Sequence, residues 1–191
     1  MKIGIISGSV RQGRNSAHVA RWVASSVKDL GLADVDFEVV PLADYQLPAF
    51  DSPISPMAAT EPFENPEVAR WGRTIASFDA YILVTPEYNH SVPGALKNAV
   101  DWLGRELHGK PIAFVSYGAD GRVRATEHWR QIVANFEMID IRSSIALGLF
   151  TDFDKDGIAP QPRRAAEIAT LANSLVTTTR RWQRDLTSQA A

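Results

Sequence analysis

The chain contains no cysteine, and that absence removes several chemistries at once. No disulfide framework, thiol nucleophile, thiolate metal site or redox dithiol can be built, so any redox work must fall to a bound cofactor. Net charge is also small. A formal charge of -2 and a pI near 6.1 give no basic field for a nucleic-acid backbone, so nucleic acid is not expected as a partner and an anion must be gripped locally. Long apolar runs are missing too: Met1-Lys2-Ile3-Gly4-Ile5-Ile6 is far shorter than the core of a signal peptide, and nothing later approaches the roughly 18 apolar residues of a membrane span. No membrane partner is expected, and the cytoplasm is the expected compartment. The four histidines, at 18, 90, 108 and 128, lack zinc-ligand spacing, so no metal is expected. With 191 residues, 45% of them hydrophobic and 22% charged, and no repeat or linker, the chain suits one domain spanning residues 1–191.

What is present is alternation. Five short runs read as strands, at residues 2–7, 35–41, 80–85, 111–116 and 140–147. Three are close to continuous in apolar residues, as expected of strands covered on both faces. Helical spacing recurs between and after them, at Ala20, Val23, Ala24, Val27 and Leu30, at Ala95, Leu96, Ala99, Val100 and Leu103, at Ala125, Trp129, Ile132, Val133 and Phe136, and at Ile168, Leu171, Leu175, Trp182 and Leu186. Strands joined by helices imply an α/β fold of three layers, a five-stranded parallel sheet with helices on both faces. The expected strand order is 2-1-3-4-5, which makes the first and third strands neighbours and sets the loops after residues 7 and 85 on either side of one crevice. Pro41 to Pro66 carries six prolines without clear periodicity. It reads equally as a lid or as a rigid connection packed by Tyr45, Leu47 and Phe50.

Two loops carry the chemistry. The first, Ser7-Gly8-Ser9-Val10-Arg11-Gln12-Gly13-Arg14-Asn15-Ser16, runs into a helix N-terminus, whose open N–H groups and partial positive charge suit a phosphate. Gly8 and Gly13 have the spacing of a nucleoside-triphosphate loop, but Arg14 and Asn15 stand where that motif needs Lys and Ser or Thr. The dinucleotide fingerprint G-x-G-x-x-G is also absent. A hydroxyl-rich, arginine-rich pocket for a monophosphate remains, against the plainer alternative that Asn15 or Ser16 only caps the helix. The second loop, Thr85-Pro86-Glu87-Tyr88-Asn89-His90-Ser91-Val92-Pro93-Gly94, follows a buried strand, where open α/β sheets bind ligands.

Gly8-Ser9-Val10-Arg11 together with TPEYNHSVPGALKNAVDWL closely resembles the NAD(P)H-dependent FMN reductase family, whose fold is flavodoxin-like. The resemblance runs through residues 1 to about 150 and weakens across residues 45–70 and the C-terminal 40. It implies that Ser9, Arg11, Gln12, Arg14, Asn15 and Ser16 hold the FMN phosphate, although many members have Ser and Asn where this chain has Arg14 and Ser16. Arg14 alternatively faces a nicotinamide dinucleotide phosphate. The resemblance further implies that Pro86, Glu87, Tyr88 and Asn89 approach the flavin ring and ribityl chain, with Pro86 and Pro93 limiting backbone freedom. Ser116, Tyr117 and Gly118, in the third loop Val115 to Gly121, are expected against the ring. Without the resemblance, Tyr88 reads as well as a core aromatic and Glu87 as a surface charge. No catalytic side chain is expected: hydride transfer to a flavin needs no protein base, so His90 reads as a solvated or interface residue.

The implied activity is transfer of hydride from NAD(P)H to bound FMN and then of electrons to a small-molecule acceptor such as free flavin or a quinone. Arg11 and Arg14 favour NADPH modestly. A homodimer or homotetramer is the implied assembly. The alternatives are a flavodoxin-type electron carrier, disfavoured by near-neutral charge and Arg11, or a flavin-binding sensor. One further pattern misleads. Asp152, Asp154, Asp156 and Gly157 begin like an EF-hand loop, but Arg163 stands at the twelfth position and Pro160 and Pro162 interrupt it, so a solvated acidic turn is expected instead of a calcium site.

Overall fold

A computed structural model describes residues 1–119 and 123–189 of the chain. The expected strands are all present, as β1 (Lys2–Ser7), β2 (Asp36–Pro41), β3 (Ala80–Pro86), β4 (Pro111–Gly118) and β5 (Ile139–Gly148). They form a parallel sheet in the order β2-β1-β3-β4-β5. Helices α1 (Ser16–Asp29), α2 (Pro66–Ala76), α3 (Gly94–Asp101), α4 (Val123–Ala134) and α5 (Arg164–Gln189) cover it.

Period-two alternation of side chains within continuously apolar strands gives the sheet two buried faces. Ile6, Tyr81, Leu83, Ile112 and Phe114 pack with Trp71 of α2, Leu96 of α3 and Trp129 of α4. Ile3, Ile5, Ile82, Val84 and Val115 pack with Val19 and Val23 of α1 and Leu171 and Leu175 of α5. Helices α1 and α3 therefore leave the neighbouring strands β1 and β3 toward opposite faces, and the chain opens a crevice between their first turns.

Helix α2 has a start signal that the proline count obscures. Asn65 accepts from the N–H groups of Glu67 and Val68 at 2.9 and 3.2 Å, and Pro66 occupies the first helical position, an arrangement that satisfies open donors and fixes φ. Its buried residues, Val68, Trp71 and Ile75, have helical spacing. The segment before it is a packed connection. Tyr45 meets Trp71 edge-on at 4.9 Å, Phe50 and Phe63 both meet Trp102, and the Pro48 carbonyl accepts from Asn98 and from the Trp102 indole.

The acidic turn is only partly solvated. Asp152 is fully buried, and its carboxylate accepts from Arg164 Nε and Nη2, both at 2.8 Å, and from the N–H groups of Gly148 and Gln161. Asp154 and Asp156 stay exposed, Asp154 accepting from the Asp156 N–H beside a short antiparallel hairpin, β6 (Phe153–Asp154) and β7 (Gly157–Ile158). Ile168, Leu171 and Leu175 anchor α5, whereas Trp182 is half-buried and Leu186 exposed, so the last turns of that helix leave the core.

Burial opposes ionisation of Asp152, and the Arg164 guanidinium with the two backbone donors overcomes it, holding the carboxyl well below the usual carboxylate range. A depressed folded-state pKa stabilises fully above the unfolded value of about 3.9 and loses that contribution as pH falls toward the folded value. Arg164→Met strands a buried carboxylate and is expected to cost about 3–5 kcal/mol at pH 7. Urea melts check this, and the difference from wild type should shrink below about pH 4.

Candidate functional site

The first loop reaches the crevice through a close approach that only glycine permits. Gly8 N–H donates to the Val84 carbonyl at 2.9 Å, and a Cβ on Gly8 would stand 2.4 Å from Leu96 Cδ2 and 2.8 Å from the Val84 oxygen. Beyond Gly8 the backbone donors are mostly unclaimed. Arg11 N–H has a long 3.4 Å contact with Ser9 Oγ. Among the described residues, the N–H groups of Ser9, Val10, Gln12, Gly13, Arg14, Asn15, Ala17 and His18 have no protein acceptor, while that of Ser16 faces the Tyr117 phenol. Asn15 occupies the N-cap position with helical φ and ψ and makes no side-chain cap bond. Ser16 is fully buried and accepts from Ser7 Oγ at 3.0 Å. Neither residue therefore closes the helix end, and its partial positive charge faces the crevice with open donors.

Charged and hydroxyl groups line the same place. Arg11 and Gln12 are exposed, and Arg14 is half-buried. Arg14 reaches the Arg11 carbonyl through Nη1 at 3.4 Å, while its Nε is buried without a partner. A buried, unpartnered guanidinium donor beside open N–H groups is what an anion would complete.

The second loop closes over the first. Ser9 Oγ and Tyr88 Oη lie 2.8 Å apart, and the Arg11 guanidinium lies 5.8 Å from the Tyr88 ring centroid. Tyr88 and Ser91 exchange two backbone hydrogen bonds of 3.0 Å, with φ of 49° at Asn89 and 66° at His90. Positive φ at both central residues is the mark of a two-residue hairpin turn of type I′. The loop thus owes its shape to this turn as well as to Pro86 and Pro93, and the N–H groups of Asn89 and His90 have no protein acceptor among the described residues. Pro86 is buried at the end of β3.

Glu87 is not a surface charge. Its side chain is 5% exposed and pairs with Arg124, while its N–H donates to the Tyr117 carbonyl at 3.0 Å. Both its polar ends are thus committed to protein partners. In the third loop Ser116 is buried, with Oγ 3.5 Å from the Ile145 carbonyl, and the Gly118 carbonyl accepts from Leu149 N–H. Tyr117 is buried with its phenol among the first-loop hydroxyls. Burial, together with Tyr88, pushes its pKa up, against the opposing hydrogen bonds of Ser16 and Ser9. It therefore remains a protonated donor at neutral pH. Asp120 to Arg122, which include the end of the expected third loop, lie outside the described residues.

The three loops meet at one end of the sheet, as the strand order requires. A cavity of about 260 Å³ between α2, Phe63 and Trp102 is lined by none of these loop residues. A family model described as NADPH-dependent FMN reductase matches residues 1–152. The chain belongs to that family. The FMN reductase family supplies relatives such as the NAD(P)H-dependent FMN reductase ntnL of Nectria sp, 42% identical over 126 residues, or 65% of this chain and 63% of that protein. The chain thus spans just under two thirds of that relative's length. The quinone reductase of Escherichia coli K12 is 34% identical over 140 residues, 70% of this chain and 69% of that protein. Among solved structures, the flavoenzyme NAD(P)H:(acceptor) oxidoreductase FerB from Paracoccus denitrificans superposes with a TM-score of 0.65 at 19% identity, covering 92% of this chain and 97% of that one, which bears on the fold alone.

Three residues that the sequence does not single out as site residues complete the FMN reductase family member's loop cluster, all on α4. Arg124 holds Glu87 and lies against the His90 ring, His128 Nδ1 is 2.9 Å from Ser91 Oγ, and Trp129 Nε1 donates to Thr85 Oγ1 at 3.1 Å. Their spacing, i, i+4 and i+5, puts them on one side of a helix. Gly8→Ala tests the geometry. It is expected to cost about 1–3 kcal/mol by overpacking against Leu96 and Val84, read as a shift of the urea midpoint.

Proposed function

We propose that this chain is an FMN-dependent oxidoreductase that takes electrons from NAD(P)H and delivers them to a small-molecule acceptor. The observation that carries this reading is the run of mostly open N–H donors between Ser9 and His18, set beside Arg11 and Arg14 and beneath Tyr88. That arrangement suits the dianionic phosphate of FMN. Backbone donors at a helix N-terminus and two guanidinium groups offset its charge where a neutral chain offers no general attraction. In this reading Ser9, Arg11, Gln12, Arg14, Asn15 and Ser16 surround the phosphate. Pro86, Glu87, Tyr88, Asn89, Ser116, Tyr117 and Gly118 shape the ring pocket, Glu87 and Ser116 by fixing neighbours and Asn89 by presenting its N–H.

FMN held there would supply the redox chemistry, a hydride-accepting ring that would oxidise NAD(P)H to NAD(P)⁺ and return two electrons with protons to an acceptor such as free flavin or a quinone. The protein's residues hold the ring, exclude water from one of its faces and direct N–H donors at it. Donors fixed before binding need no reorganisation when negative charge develops on the reduced ring. No side chain is assigned a proton-transfer role. His90, exposed and set against Arg124, serves the turn instead.

The finer parts of the proposal follow from the same features. Arg11 and Arg14 give NADPH a modest edge over NADH. Phe50 and Ile54 remain 38% and 55% exposed on the connection over α3, which supports a homodimer or homotetramer that covers this flank. Among the described residues no helix is long and apolar enough to cross a membrane, consistent with work in the cytoplasm by residues 1–191 as one flavin-binding unit.

Purified protein is expected to bind FMN stoichiometrically and to oxidise NADPH with a quinone as acceptor, followed by absorbance. Flavin-replete protein that neither NADPH nor NADH reduces would instead leave an electron carrier or sensor. Arg11→Ala should weaken FMN binding by about tenfold or more, the worth of a charge-assisted hydrogen bond. Unchanged FMN affinity in that variant removes Arg11 from the phosphate site.

A further inference from the structure

Helix α4 grips the second loop at three levels. At the helix start the Arg124 Nε donates to Glu87 Oε1 at 2.7 Å, Nη2 contacts the same carboxylate, and the Arg124 backbone N–H donates to Oε2 at 3.2 Å. Its Nη1 lies 2.9 and 3.0 Å from the two ring nitrogens of His90. One turn on, His128 meets Ser91, and Trp129 meets Thr85. The fixed points, Thr85, Glu87, His90 and Ser91, bracket Asn89. Both central residues of this turn are held at positive φ without glycine, a conformation that Asn tolerates well and that His adopts at more cost than glycine would.

Charge makes the Arg124 contact more than a brace. The Glu87 carboxylate is almost wholly buried, whereas the Arg124 side chain is 33% exposed. A buried anion of this kind is stable only while paired, and an unpaired charge in a low-dielectric surround acts over several ångströms.

We propose that Arg124 is a positioning residue for flavin. Through Glu87 and His90 it fixes the Asn89–His90 turn and cancels the Glu87 charge, so that flavin affinity and flavin potential depend on a guanidinium acting through protein atoms. This rests on the reading of the three loops as the FMN site. It also ties the third loop to the second, because Arg124 follows directly on the third loop and Glu87 donates to the Tyr117 carbonyl at that loop's other end. Of the residues between Tyr117 and Arg124, 120 to 122 lie outside the described part of the chain.

The test has two arms. In protein without flavin, amide hydrogen exchange at Tyr88 and Ser91 reports the turn directly, since these two N–H groups are the ones it protects. Arg124→Ala should speed both, and Arg124→Lys, which keeps the charge but not the two-pronged contact, should restore part of the protection. In the FMN-bound protein, Arg124→Ala should weaken FMN by about tenfold, as for loss of a charge-assisted contact, and lower the flavin potential by removing a positive charge beside the site. Glu87→Gln should raise the potential, because it removes a buried negative charge beside the turn. Opposite signs identify charge, whereas a purely structural role moves both variants in the same direction. Unchanged exchange in Arg124→Ala, or potentials that shift alike in the two variants, overturns the proposal. Wild-type protein that binds no FMN overturns the reading of the site and this proposal's flavin part, while the exchange arm still decides whether Arg124 holds the turn.

Discussion

The hydrogen bond from Gly8 N–H to the Val84 carbonyl fixes where the first loop leaves the sheet. It extends the pairing of β1 with β3 one residue past the end of β1, at a place where Leu96 and the Val84 oxygen leave no room for a side chain. From that point the backbone of the first loop must turn away across the top of the sheet into α1. Because α1 and α3 depart to opposite faces, packing cannot fill the space between their first turns, and the donors at the start of α1 remain open to it. A ligand crevice is thus a consequence of strand order, and the residue types around it decide which ligand.

Those residue types divide the work between backbone and side chains. Backbone N–H groups in the first loop and at Asn89 and His90 are left as donors, while most of the side chains around them bond to one another: Ser7 to Ser16, Ser9 to Tyr88, Glu87 to Arg124, His128 to Ser91. Side-chain bonding between loops lowers the ordering cost of binding. The Asp152–Arg164 pair serves the same end from further off. It anchors the start of α5 to the end of β5, and α5 in turn supports α1, whose N-terminus faces the crevice.

Strand positions and order were legible in the sequence because they rest on local periodicity and on connection length, and the five strands fall within two residues of their expected ends. Helix α2 was not. Its three buried residues follow a proline-dense stretch, and its clearest signal, Asn65-Pro66, is a short one that six prolines mask. The two arginine-bearing features behaved differently. Arg11 and Arg14 lie within a glycine-bearing strand-to-helix loop, a local pattern with a physical meaning. Arg124 lies 37 residues from its partner Glu87, and nothing local in either residue announces the other. Asp152 escaped for the same reason, since a partner 12 residues on turned an apparent surface acid into a buried one. The turn at Asn89–His90 stood between these cases: the prolines around it were visible, but the contacts that reach it from α4 come from residues more than thirty positions on.

The central claim is that the crevice between the first and second loops is one FMN site, with the phosphate at the start of α1 and the ring at the Asn89–His90 turn. A crystal structure of the protein with FMN tests it most directly. The expected result is a phosphate within hydrogen-bond distance of N–H groups between Val10 and His18 and of Arg11, with the isoalloxazine edge against the N–H groups of Asn89 and His90. FMN bound elsewhere, or bound in this crevice with its phosphate directed away from the N-terminus of α1, would contradict the account.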